Sequence, residues 1–127
     1  MNIDDVSISN NYPNALGRVL NLRIRRGVYN SPKFRFIRSK FERYDGKEVI
    51  EIYVLFEKPI PVRDSALILR IGECRMRVSS EHISDSEIKF IIFEHDKSKE
   101  GFPISIGWAG DDPDKMILTG YYYNPPP

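Results

Sequence analysis

The amino-acid sequence predicts an all-β domain, an antiparallel β-sandwich of about eight or nine strands. Apolar and polar residues alternate along most of the chain, as half-buried strands require, whereas helical periodicity does not recur. Turn residues such as Asp45-Gly46 and Gly72-Glu73 interrupt the alternation at short intervals. The length, 127 residues, is typical of one domain. We therefore assign residues 1–123 to a single domain and 124–127 to a proline-rich tail or the start of a linker.

The strongest turn signal is Asp45-Gly46, which separates two alternating runs, Lys33–Arg43 and Glu48–Glu57. Asp-Gly favours a type I′ hairpin turn, because that turn needs positive φ at both central positions. The pairing needs one β-bulge at Phe36-Ile37 to keep its apolar residues on one face. The sequence therefore predicts a long hairpin in which Phe41 points into the core.

The same alternation assigns the other segments. Arg18–Arg26 is a strand with Leu20, Leu22 and Ile24 on one face. The remaining strands are assigned to Ala66–Ile71, Cys74–Ser79, Glu87–Glu94, Phe102–Trp108 and Met116–Tyr123, with an N-terminal strand near Ile3–Ile8. A type II′ turn at Gly72-Glu73 joins Ala66–Ile71 to Cys74–Ser79. Ser79–Ser86 is a polar connection, and His95–Gly101 is a charged loop that can hold one helical turn.

The strand number and turn spacing resemble the immunoglobulin fold in architecture only. Cys74 is the single cysteine, so the Cys…Trp…Cys framework of antibody-type domains is missing. A single cysteine also excludes an internal disulfide and a zinc cluster, and we expect no cofactor. Because architecture does not define function, candidate sites must come from individual residues.

Outward-facing apolar residues form the first candidate site. Tyr53 and Leu55 face outward on one strand of the predicted hairpin, and Ile91 and Phe93 face outward on a later strand. Apolar residues on the solvent side of a sheet indicate that something covers them. The cover can be a loop of this chain, a second domain or a second copy. The sequence therefore predicts a partner face at Tyr53, Leu55, Ile91 and Phe93.

Arginines form the second candidate site. The Gly72-Glu73 turn sets Arg70 and Arg75 directly opposite each other on an exposed face, with Arg77 nearby. Like charges in that position are destabilising, so a bound anion or an acid from another strand would offset them. Alternatively, a different turn register would separate the two arginines. The sequence therefore indicates an anion site at Arg70, Arg75 and Arg77.

A longer basic stretch is weaker evidence for a polyanion site. Residues 14–43 hold nine basic residues and one acid, whereas residues 81–114 hold nine acids and three lysines. Basic patches attract nucleic acids. In the predicted hairpin, however, Lys40 faces Glu51 and Lys33 faces Glu57, so part of the charge is neutralised. Nucleic acid is therefore not the expected partner.

Other motifs point to alternatives. Trp108 and Tyr121–Tyr123 can stack on sugar rings. The loop Asp111–Asp114 brings three carboxylates together but lacks the ligand spacing of a calcium loop, so no metal is assigned. His82 and His95 lie beside acids in polar loops, as surface residues usually do. No catalytic motif is present, and we expect no enzyme.

The function predicted from these features is a non-catalytic protein-interaction or structural module, which can be one domain of a larger protein. Its partner is another protein or a second copy of the chain. A carbohydrate-binding module and an anion- or nucleic-acid-binding β domain stay open as alternatives. The N-terminus lacks a signal-peptide pattern, and the longest apolar run has five residues against the roughly 20 that span a bilayer. These features favour the cytoplasm and predict no membrane contact.

Overall fold

A computed structural model describes residues 16–32 and 39–127. The described residues form eight strands and three single-turn 3₁₀ helices, at Glu42–Tyr44, Lys97–Lys99 and Pro113–Lys115. The strands are β1 (Val19–Val28), β2 (Glu48–Phe56), β3 (Leu67–Ile71), β4 (Cys74–Arg75), β5 (Val78–His82), β6 (Glu87–Ile92), β7 (Pro103–Trp108) and β8 (Ile117–Tyr122). They build two antiparallel four-stranded sheets, ordered β1-β2-β6-β5 (the first sheet) and β4-β3-β7-β8 (the second sheet). The predicted all-β sandwich is therefore confirmed.

The core lies between the two sheets and is built from alternate residues of each strand. Ile52 and Phe90 of the first sheet and Leu69, Ile104 and Ile106 of the second are all completely buried. Full burial of each such side chain contributes about 1.5–3 kcal/mol. This layer of aliphatic and aromatic residues joins the sheets into one unit.

The predicted hairpin around Asp45-Gly46 is wrong, because both edges of β2 already have partners. Arg25 of β1 pairs with Glu51 on one edge, and Ile92 of β6 pairs with Ile50 on the other. Residues 39–47 are turns and a 3₁₀ helix, while 33–38, with the predicted bulge at Phe36-Ile37, lie outside the described residues. The Asp45-Gly46 signal therefore predicted the position of the turn correctly, but it did not predict that β2 pairs with β1.

The turn itself is also of another type. Asp45 has φ −56° and ψ 129°, and Gly46 has φ +78°, which are the angles of a type II turn. Its closing hydrogen bond runs from the Lys47 N–H to the Tyr44 carbonyl over 2.9 Å. Phe41, expected opposite Ile50 in the main core, packs in a separate apolar cluster instead.

Strand β1 follows its prediction except at one position. Its pairing with β2 is irregular between Val19 and Asn21, so the alternation shifts there. Leu22 is buried and Ile24 is partly buried against the core, as expected, but Leu20 is 47% exposed.

The segment after β3 departs most from the sequence prediction. Ile71 pairs with Cys74 around Gly72, whose φ of +60° fits the predicted tight turn. The strand then ends at Arg75, and the chain crosses to the first sheet, where β5 forms within the predicted polar connection. Among the described strands, β5 has β6 as its single neighbour and lies at the edge of the first sheet, a position that suits its polar residues. Cys74, in the short strand β4, is exposed.

Of the two ends of the chain, the structure describes the C-terminal one. The predicted strand near Ile3–Ile8 lies outside the described residues. At the other end Pro125 is buried, and the Arg26 Nε donates a hydrogen bond of 2.6 Å to the Pro126 carbonyl, so the proline-rich tail packs on β1. Among residues 16–32 and 39–127, no helix has the length and apolar character needed to cross a membrane.

Candidate anion-binding cleft

A cleft of about 500 Å³ opens between the β4 segment and the loop that follows β6. Four cationic side chains line it: Arg75 and Arg77 on one wall, Lys97 and Lys99 on the other. Met76 and the aromatic side chains of Tyr44 and Phe93 also line the cleft. We call this site the basic cleft.

Two acids also line the basic cleft, and both have local partners. Glu94 accepts a hydrogen bond of 2.6 Å from the Tyr44 hydroxyl. Asp96 accepts from the hydroxyl and the backbone N–H of Ser98, and these two hydrogen bonds hold the pKa of the Asp96 carboxyl below its usual value. The lining cations therefore outnumber the lining acids by four to two.

The predicted juxtaposition of arginines is present. Arg70 and Arg75 are directly paired across β3 and β4, so the register prediction is confirmed and the alternative register is excluded. Arg75 and Arg77 line the basic cleft, whereas Arg70 lies outside its lining and donates to the Glu73 carbonyl. Within residues 16–32 and 39–127, none of these three arginines has a carboxylate at ion-pair distance. Whether the site binds an anion stays a prediction.

The opposite wall is held by contacts that the sequence did not indicate. The Lys99 ammonium donates to the Cys74 sulfur over 3.1 Å, and this hydrogen bond raises the pKa of Lys99. His95 Nδ1 lies 2.7 Å from the hydroxyl of Tyr123. Burial raises the pKa of Tyr123 to about 12, with a smaller contribution from the charge of Glu100. The phenol therefore keeps its proton at neutral pH, and its O–H can donate the hydrogen bond to His95 Nδ1.

This contact changes the interpretation of His95. His95 is an exposed residue, as the sequence predicted, but its side chain also hydrogen-bonds to a fully buried tyrosine. It anchors the loop that carries Lys97 and Lys99 to the core. His82, the other histidine, lines a separate cavity of about 330 Å³ beside Trp108.

The predicted partner face is largely covered by the chain itself. Ile91 and Phe93 are 5% and 7% exposed, and both belong to a second apolar cluster that includes Tyr29, Phe41 and Tyr44. The Phe41 and Phe93 rings stack with centroids 4.2 Å apart.

Tyr53 and Leu55 remain half-buried, and the Arg23 guanidinium lies 4.0 Å from the centre of the Tyr53 ring. The partner face thus keeps only Tyr53 and Leu55 accessible, and their role stays a prediction.

The basic residues on the outer face of the first sheet have acidic partners, but not the predicted ones. Arg25 Nε lies 3.0 Å from Glu51, and Lys89 Nζ lies 2.7 Å from Glu81 and 3.6 Å from Glu51. Burial alone would lower the pKa of Lys89, but the hydrogen bond to Glu81 and the nearby negative charges raise it. Glu57 pairs with Arg18. Lys40 does not pair with Glu51 as expected, and Lys33 lies outside the described residues.

The other candidate sites are less accessible than expected. Trp108 is 3% exposed and Tyr123 is fully buried, which leaves Tyr122, at 59%, as the most exposed of these aromatics. Among the described residues, no group of three His, Cys, Asp or Glu side chains is arranged to hold a metal ion, and this includes the loop Asp111–Asp114.

The fold and the site thus define an all-β sandwich with a basic cleft beside the short strand β4. Comparisons with protein-family models, with curated proteins and with solved structures gave no match for the chain.

Proposed function

We propose that the chain is a non-catalytic interaction module that binds an acidic segment of a partner protein in the basic cleft. The observation that carries the proposal is the state of the four cations. Arg75, Arg77, Lys97 and Lys99 line one cleft, and none has a carboxylate partner within the described residues. A ligand with two or more carboxylates would supply the missing charge.

The aromatic residues of the basic cleft support a peptide over a nucleic acid. Single-stranded nucleic acid binds through bases stacked on free aromatic rings. The Phe93 ring is buried and stacked on Phe41, and the Arg43 guanidinium lies 4.9 Å from the centre of the Tyr44 ring. Both rings are therefore occupied. The apolar surface of Met76 between the cations suits an aliphatic side chain flanked by acids.

The immunoglobulin-like architecture remains a prediction from strand number. It adds nothing to the proposal, because the ligand class follows from the residues of the cleft and not from the fold.

The proposal is tested by mapping the bound ligand with nuclear magnetic resonance. A short Asp- and Glu-rich peptide with one central leucine is titrated into ¹⁵N-labelled protein. We expect chemical-shift changes at the backbone amides of Cys74–Arg77 and Lys97–Lys99, because these segments line the cleft. Matched titrations use the same peptide with Asn and Gln in place of the acids, and a single-stranded oligonucleotide of equal charge.

Two results would reject this function. One is the absence of shift changes with the acidic peptide. The other is a change centred on the outer face of the first sheet, around Tyr53. A stronger response to the oligonucleotide than to the peptide would replace the acidic peptide with nucleic acid as the ligand.

A further inference from the structure

A second charged surface of the chain complements the basic cleft. The loop between β7 and β8 carries Asp111, Asp112 and Asp114, and the last two are exposed. Its backbone is held by hydrogen bonds from the Asp111 N–H to the Trp108 carbonyl, over 3.1 Å, and from the Lys115 N–H to the Asp112 carbonyl, over 3.0 Å. Pro113 is the first residue of the 3₁₀ turn, and its ring fixes the φ angle at that position. The loop therefore presents Asp112 and Asp114 on a defined turn.

This acidic loop and the basic cleft lie at opposite ends of β7. The wall with Lys97 and Lys99 precedes Pro103, where β7 begins, and the acidic loop follows Trp108, where it ends. A strand of six residues spans roughly 20 Å. That distance exceeds the screening length of about 8 Å at physiological ionic strength. The acidic loop of one molecule therefore cannot neutralise the cleft of the same molecule.

We infer that the acidic segment that fills the basic cleft is the Asp111–Asp114 loop of a second copy of this chain. The inference rests on the proposed function, since it names the partner for that cleft. Two carboxylates on a short turn match cations on two facing walls, Arg75 and Arg77 on one side and Lys97 and Lys99 on the other. The charges are complementary, which is the condition for steering and orienting such an encounter.

This contact is head-to-tail, because it joins two different surfaces of the chain. Such heterologous contacts leave one free cleft and one free loop at the ends of every open assembly. Association then increases with protein concentration and extends beyond the dimer unless the rotation closes a ring. Since it depends on exposed charges, it weakens as salt screens them.

The test uses two charge-reversal variants, Arg75→Glu/Arg77→Glu in the cleft and Asp112→Lys/Asp114→Lys in the loop. Wild-type protein should self-associate in sedimentation velocity at about 50 mM salt and dissociate at about 500 mM. Each variant alone should be monomeric. An equimolar mixture should associate into assemblies in which the two variants alternate, because the intact loop of one fits the intact cleft of the other and the reversed loop fits the reversed cleft. The four substitutions in one chain should restore self-association.

Circular dichroism confirms that each variant is folded, and Asp112→Asn/Asp114→Asn replaces the loop reversal if the reversed loop misfolds. A wild-type chain that stays monomeric at about 50 mM salt and protein up to about 1 mM overturns the inference. Self-association that both reversals leave unchanged overturns it as well. The loop variant separates the two proposals. If it binds the acidic peptide while the wild type does not self-associate, the proposed function stands and the second copy is not the partner.

Discussion

Two groups of cations on this sandwich differ in one respect. On the outer face of the first sheet, Arg25 and Lys89 are each paired with a carboxylate, and the Arg23 guanidinium lies over the Tyr53 ring. Around the basic cleft, Arg75 and Arg77 have no carboxylate partner within the described residues. Arg23 and Arg25, the cations of the longer basic run that lie on this face, therefore belong to the more neutral surface. Pairing, rather than the number of charges, marks the candidate binding site.

The two groups also contribute differently to stability. Glu51 is 8% exposed, and a buried carboxylate must be compensated by nearby cations. The Arg70–Arg75 pair is the reverse case, since like charges directly across a sheet are destabilising. We therefore expect substitutions on the first sheet to affect folding and substitutions in the cleft to affect binding.

The largest effect on folding should come from Glu51→Ala. Its side chain approaches both Arg25 and Lys89, and removing it leaves Lys89, 16% exposed, with one acid instead of two. We expect the free energy of unfolding in urea to fall by about 2 kcal/mol. Glu57→Ala is the matched control, because the Arg18–Glu57 pair is exposed and should contribute less than about 0.5 kcal/mol. Equal losses of unfolding free energy from Glu51→Ala and Glu57→Ala would contradict the distinction between the buried and the exposed carboxylate.

A smaller effect is expected from Gly27→Ala in β1. A Cβ atom at Gly27 would lie 2.6 Å from Glu51 Oε1, so the carboxylate would have to move away from its cations. We expect a loss of about 1 kcal/mol in the free energy of unfolding, because displacing the carboxylate outweighs the gain that alanine would otherwise bring to a strand in place of glycine. In the Glu51→Ala background the same substitution should instead stabilise the protein by about 0.5 kcal/mol. A loss that is the same in both backgrounds would contradict the contact.

The sequence predicted those parts of the fold that depend on local patterns. Strands β6, β7 and β8 follow the alternation of residues such as Ile88, Phe90 and Ile104, and the β3–β4 turn follows Gly72. The hairpin at Asp45 failed because the choice of strand partner depends on distant segments. Val28 of β1 reaches Glu48 of β2 across a long connection, and no local signal reports this pairing.

In the candidate site, too, the features that depend on a local pattern were predicted and those that depend on distant segments were not. Arg70 and Arg75 were placed opposite each other because a two-residue turn fixes their register. Lys97 and Lys99 could not be added, since they reach the cleft only because the chain crosses from the first sheet to the second after β6. A loop of this chain was one of the covers expected for Ile91 and Phe93, but the covering segment could not be identified, because it is the non-strand segment that holds Phe41 and Tyr44.

The smallest effect on folding is expected from the cleft variant Arg75→Gln/Arg77→Gln. Both residues are exposed and lack carboxylate partners within the described part of the chain, so the free energy of unfolding should change by less than about 0.5 kcal/mol. Denaturant unfolding beside the wild type measures this change. It also shows that any loss of binding is not a loss of structure.

The central claim is tested most directly by the affinity of this cleft variant for the acidic peptide, measured by fluorescence anisotropy. Each charge-assisted hydrogen bond contributes about 1.5–3 kcal/mol, so losing two should raise Kd at least tenfold. The control Arg23→Gln removes a positive charge from the first sheet, beside Tyr53, and should leave Kd nearly unchanged. Equal loss of affinity in both variants, or no loss in the cleft variant, would contradict the assignment of the basic cleft as the binding site.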